Sequence, residues 1–75
     1  MLKEYLSDID AGVATMTAES QLTARQIIGR NWPQNAAEAA ELGKQFSQAI
    51  EAGGLPRLVF LRTDDRNHHI YGLRQ

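Results

Sequence analysis

Cysteine is absent from this 75-residue chain, so it has no disulfide, no thiolate nucleophile and no thiolate–metal staple. That absence fits a reducing cytosol. Long apolar runs are also missing. Nothing approaches the roughly 18 consecutive apolar residues of a membrane span, which excludes a helical membrane anchor in this stretch. The opening MLKEYLSDID has no basic segment followed by an apolar one, so it does not read as a secretory signal. The expectation is a soluble, cytoplasmic protein with no membrane partner. Positive charge is not in excess either: the net charge is −1 and the pI about 6.0. Since Lys and Arg on phosphates supply most of the affinity of a nucleic-acid binder, this balance weighs mildly against nucleic acid.

Phosphate-cradling motifs are missing too. Gly53-Gly54 is not part of a G-x-x-x-x-G-K-[ST] or G-x-G-x-x-G sequence. His68-His69 is the one ligand-like pair, but adjacent side chains on a strand point to opposite faces. Without a Cys or a third His, no metal and no cofactor is expected. Asp64 and Asp65 read as turn residues. Glu38 and Glu41 read as a solvated helix face, not an acid–base pair. Ser47, His68 and Asp64 make a serine triad only on paper, since nothing in the sequence brings them together. Enzymatic activity is therefore not expected.

What the chain does have is one strong helical pattern. Ala36, Ala39, Leu42, Gly43, Phe46, Ala49 and Ile50, with Ala40 beside them, recur at the period of one helix face. Pro33 disfavours helical geometry at Trp32. Asn35 is placed to cap the first turn, with Glu38 three residues on. Gly53-Gly54 followed by Pro56 ends the pattern. The long helix therefore runs from about Asn35 to Gly54, and the shorter elements need it as a support. Gly43, beside Leu42, is expected to let a neighbouring backbone approach this helix.

Leu2, Tyr5, Leu6 and Ile9, at i, i+3, i+4 and i+7, predict an amphipathic first helix. It ends near residue 11, at Asp10-Ala11-Gly12, or runs on to about 18, since Val13 and Met16 continue the stripe. Thr23-Ala-Arg-Gln26 is a capping box that opens a short helix, Ala24 to Ile28, closed by Gly29. Five residues are too few to be helical alone, so this helix is expected to pack against the long one. Trp32 is either a core plug between the two helices or an exposed anchor for a partner. Leu58 to Leu61 and His68 to Leu73 flank the turn cluster Asp64-Asp-Arg-Asn67 and read as a β-hairpin. Leu58 and Phe60 fall on one face of the first strand, Val59 and Leu61 on the other.

The expected architecture is a single α+β domain over residues 1–75: an N-terminal helix and connector (1–19), then core helices and a hairpin (20–75). The order matches a small winged helix-turn-helix, whose terminal hairpin is the wing. A chain of this length buries only about 60% of its unfolded surface, so a homodimer is a further way to bury more.

Residues 20–71 resemble a small bacterial and phage domain family of unknown function. That family carries a short T-L-R-D-L type helix, a Trp, an L-G-R-x-F-x-x-x-V-x-x-G helix and a hairpin with N-H-x-x-Y. The corresponding residues are Leu22-Thr-Ala-Arg-Gln-Ile-Ile28, Trp32, Leu42-Gly-Lys-Gln-Phe46, Ile50, Gly53 and Asn67-His68-His-Ile-Tyr71. The shared positions are mostly packing residues, so the resemblance implies a fold more than an activity.

Two functions from different classes follow. The first is a non-enzymatic, double-stranded-DNA-binding accessory or transcriptional regulator. The N-terminal residues of its second helix-turn-helix helix would lead into the major groove. Gln34 and Asn35 sit at that end, with Lys44, Gln45 and Gln48 along the helix to reach base edges. Arg25 and Arg30 would reach phosphates, and Arg66, Asn67 and His68 would act from the wing tip. Glu38, Glu41 and Glu51 repel phosphate, which should confine contacts to the helix start and the wing. The second function is a protein-binding modulator of a host complex, of phage or mobile-element type, using Leu2, Tyr5, Leu6 and Ile9 of a detached first helix and Val59 and Leu61 of the hairpin.

Overall fold

The computed structural model describes residues 1–74 as three helices followed by a two-stranded antiparallel hairpin. A 3₁₀ turn at Leu2–Tyr5 leads into α1 (Leu6–Ala14). Next come α2 (Ala24–Ile28), a 3₁₀ turn at Gly29–Asn31, and α3 (Ala36–Glu51). The hairpin is β1 (Leu58–Thr63) and β2 (His69–Leu73). No described helix is long and apolar enough to cross a membrane.

The local signals for α2 operate as read, and at α3 Asn35 caps the first turn, though among the described residues Glu38 makes no return bond to the Asn35 amide. Thr23 accepts from the Gln26 amide while the Gln26 side chain accepts from the Thr23 amide, so both halves of the capping box form. Asn35 Oδ1 accepts from the amides of Ala37 (2.9 Å) and Glu38 (3.1 Å). Gly29 and Gly53 take positive φ values of 79° and 80° at the ends of α2 and α3, where a side chain would be strained.

One core runs through all the elements: Ile9 and Val13 from α1, Ile27 and Ile28 from α2, Leu42 and Phe46 from α3, and Leu58 and Tyr71 from the hairpin. The Phe46 and Tyr71 rings meet at 5.0 Å between centroids, tilted. Trp32 is half-buried and packs against this core, as a plug would.

Several expectations need correction. α1 ends at Ala14, between the two predicted stops, and Gly12 lies inside it. An ideal Cβ on Gly12 would stand 2.0 Å from the Ile27 carbonyl oxygen, so this glycine lets α2 approach. The short helix accordingly packs mainly on α1 and only lightly on α3. No backbone approaches Gly43, where a Cβ would meet nothing within 4 Å. The first helix is not detached. Ile9 is 1% exposed, and Leu2 and Tyr5 are half-buried against the core. The simple two-face pattern of the first strand holds in register only from Leu58 to Phe60, and a β-bulge between Phe60 and Arg62 breaks it at Leu61. Leu58 is buried while Phe60 and Leu61 are exposed.

Leu22, between α1 and α2, forms an isolated antiparallel bridge with Tyr71 through reciprocal backbone hydrogen bonds of 2.9 and 2.7 Å. The connector thus pairs on the side of β2 away from β1. Gly72 makes room for it, since a Cβ there would lie 3.2 Å from the Ser20 carbonyl oxygen.

Candidate functional site

α2 leans on α1, so an arc of α3 is left uncovered. At 100° per residue, Ala40, Gly43, Lys44, Ser47, Gln48 and Glu51 share that arc. They form one wall of an open groove of about 660 Å³. Thr23, Ala24 and Arg25 at the start of α2 contribute to it, with Trp32 at the turn. Asn67, His68, His69 and Tyr71 of the hairpin close the other side. A shallower recess beside it shares Thr23, Arg25 and His68 and adds Gln26, Gly29, Asp64 and Arg66.

The hairpin turn is fixed by Asp64. Its Oδ1 accepts from the amides of His68 (2.8 Å) and Arg66 (2.9 Å), and Asn67 takes a positive φ of 66°. The hydrogen bond from His68, aided by that from Arg66, holds the Asp64 carboxyl below its ordinary range. This Asx-type turn presents Arg66, Asn67 and His68 to the groove and its neighbouring recess.

Where β2 meets α3, His69 Nδ1 lies 3.4 Å from Ser47 Oγ and 3.3 Å from Tyr71 Oη. Phe60 packs edge-on against His69, with centroids 5.0 Å apart. Burial pushes the Tyr71 phenol above its ordinary 10.0, against the lowering effect of the Ser47 hydroxyl, so at neutral pH it is a hydroxyl. The paper triad of Ser47, His68 and Asp64 is not assembled. Ser47 meets His69 instead, and Asp64 is occupied at the turn. Among the described residues, no group of three or more His, Asp or Glu is placed to hold a metal ion.

Of the ten nucleic-acid candidates, Arg25, Lys44, Gln48, Asn67 and His68 line the groove, and Arg66 lies in the adjoining recess. Arg30 and Gln34 are exposed but line neither depression. Asn35 Oδ1 is committed to capping α3 and is not a free acceptor for a base edge. Gln45 falls on the other flank, where it accepts from the Leu2 amide (3.0 Å) and donates to Glu41 (3.1 Å).

The acidic side chains are sorted in the same way. Glu38 lies on the Gln45 flank and Glu41 is bonded to Gln45 at the margin of the arc, so Glu51 is the acid that lines the groove. Among the described residues, the one ion pair joins the amino terminus to Glu4 at 3.8 Å, which leaves Arg25, Lys44 and Arg66 unneutralised.

Sequence reasoning missed Ser47, His69, Tyr71 and Glu51 as groove residues. The available signal was the run of small residues Ala40, Gly43 and Ser47 along one arc of a helix otherwise flanked by long side chains. Comparison with family models, curated proteins and solved structures finds no match to this chain.

Proposed function

We propose that this chain is a non-enzymatic DNA-binding accessory or transcriptional regulator of winged-helix type, acting in the cytoplasm. The carrying observation is the sorting of charge around α3. Arg25 and Lys44, with the amides of Gln48 and Asn67 and the His68 imidazole, line one groove, while Glu38 lies on another flank of α3 and Glu41 is bonded to Gln45 at the groove's margin. This removes part of the repulsion that the three glutamates of the long helix would place before phosphate. The winged-helix assignment draws support from the connector at Leu22, which adds a third strand-like position outside β2. In that arrangement α2 and α3 form the helix-turn-helix and the β1–β2 turn is the wing.

The protein-modulator alternative draws less support. Ile9 is in the core, Leu2 and Tyr5 are packed against it, and Val59 is half-buried, so only Leu6 and Leu61 of that set are well exposed, at 41% and 44%.

The test is a gel-shift titration with mixed duplexes across salt. Binding is expected at low salt, falling steeply as salt rises. Arg25→Ala and Lys44→Ala should each lower the log–log salt slope by about 1. Glu51→Gln should strengthen binding and Glu38→Gln should leave it unchanged. Absence of any shift at micromolar protein and low salt, with duplex and with unpaired strand alike, removes the DNA reading.

A further inference from the structure

The α3 arc that carries Lys44 and Gln48 is recessed. A helix that reads duplex DNA must stand proud of its surface, because it has to enter a major groove about 12 Å wide and 8.5 Å deep. Here small residues, Ala40, Gly43 and Ser47, set the arc back, and Arg25, Asn67 and His68 stand opposite it across the groove. Above Gly43 the space is open, with nothing within 4 Å of a Cβ position. The concavity suits something slimmer than a duplex.

Its lining names the chemistry. Aromatic surface comes from the half-buried Trp32 and the exposed His69 imidazole, while Tyr71, 2% exposed, lies beneath them in the core. Positive charge lies on the rim at Arg25 and Lys44, against Glu51 alone. A cationic groove with aromatic faces is the usual design for unpaired nucleic acid, whose bases stack on rings while the backbone follows the charge. From Ala40 to Glu51 the arc extends about 16 Å at 1.5 Å per residue. The volume of 660 Å³ is on the scale of a small-molecule site, so it holds a short stretch of strand and not a helix.

We infer that this groove takes an unpaired DNA strand, bases toward Trp32 and the Gly43 floor, and phosphates toward Arg25 and Lys44. The inference rests on the DNA reading above and narrows it. Duplex is held only weakly, through the rim cations, and the preferred target is DNA with unpaired bases.

The experiment is fluorescence anisotropy at one fixed ionic strength, with a short labelled oligodeoxynucleotide presented unpaired and as a blunt duplex. Polyglutamate serves as an unlabelled competitor of matched charge. The unpaired strand should bind about ten-fold or more tightly than the duplex. Gly43→Leu puts a side chain into the open space at a helical position and should weaken binding of the unpaired strand about ten-fold, with a melting temperature no lower than the parent's. If Gly43→Leu fails to fold, Ala40→Leu, one turn earlier on the same arc, gives the same readout.

Equal or tighter binding of the duplex overturns the inference but leaves the DNA reading standing. Binding of neither form overturns both. Undiminished binding of the unpaired strand by folded Gly43→Leu places the strand elsewhere and overturns the groove assignment. Polyglutamate displacing the strand at matched charge means that the groove reads acidic polymer and not bases, which also overturns it.

Discussion

Gly12 and Gly43 both lie inside helices, and helix propensity alone treats them alike. Replacing either with Ala should gain about 0.8–1.0 kcal/mol in an exposed helix interior. The structure predicts opposite outcomes. At Gly43 a Cβ meets nothing within 4 Å, so Gly43→Ala keeps the full gain. Unfolding entropy of about 2.1 cal/mol/K per residue gives roughly 0.16 kcal/mol/K for 75 residues. A gain of about 1 kcal/mol therefore raises the melting temperature by about 6 °C.

At Gly12 the added Cβ would lie 2.0 Å from the Ile27 carbonyl oxygen and 2.9 Å from its carbon. These are backbone atoms of α2, and no rotamer change relieves the contact. α1 and α2 must separate by more than an ångström, which loosens Ile9, Val13, Ile27 and Ile28. Overpacking of this kind costs about 1–3 kcal/mol, and a backbone obstacle belongs at the upper end. After subtracting the propensity gain, Gly12→Ala should lose about 2 kcal/mol and melt roughly 12 °C lower. Thermal denaturation followed by circular dichroism on the two variants and the parent decides the matter. A rise in melting temperature for Gly12→Ala, or shifts of the same sign for both, refutes the close α1–α2 packing.

Two further perturbations test the local devices. Asn35→Ala removes the acceptor for the Ala37 and Glu38 amides and should cost about 1 kcal/mol in urea denaturation with an unchanged m-value, whereas Asn35→Ser should lose much less. Asp64 ionises in the folded protein below its ordinary value of 3.8. Its contribution is therefore complete above that pH and is lost as pH falls through the lower folded value. Amide resonances of His68 and Arg66 followed by NMR should titrate together below pH 3.8 in the parent and not in Asp64→Ala; a joint inflection above that pH would contradict the hydrogen bonds that hold the turn.

The parts of the fold that were legible in the sequence are those encoded by neighbours in the chain. Thr23 and Gln26 specify the start of α2, Asn35 and Gly53 bracket α3, and Asp64 through Asn67 specify the hairpin turn, because each partner lies within a few residues. Contacts across the chain were not legible. Gly12 reads locally as a helix stop and functions as the seat for Ile27, fifteen positions on. The bulge beside Leu61 depends on register with β2, which alternation of residue types does not encode. The candidate site divides the same way. The 100° spacing was enough to set Glu38 apart from Lys44, Gln48 and Glu51, whereas Glu41, seven residues before Gln48, stands at the edge of their arc. The meeting of Ser47 with His69 instead of His68 required the placement of β2 against α3.

These two glycines also account for the groove. In a chain this short, α2 has too few side chains to cover two helices. The missing Cβ at Gly12 draws α2 onto α1, where Ile27 and Ile28 find Ile9 and Val13 in the same core. That packing takes α2 away from α3, and α3 is left with one face in the core and a second arc uncovered. Large apolar residues on that arc would make it an exposed hydrophobic patch; Ala40, Gly43 and Ser47 make it a recess instead. The hairpin then overhangs the recess because Leu22 ties β2 to the connector that leads into α2. Arg25, at the start of α2, reaches the rim for the same reason. The position of the cations therefore depends on the α1–α2 contact, and a change at Gly12 that leaves the protein folded should weaken the DNA binding proposed above without touching a single groove residue.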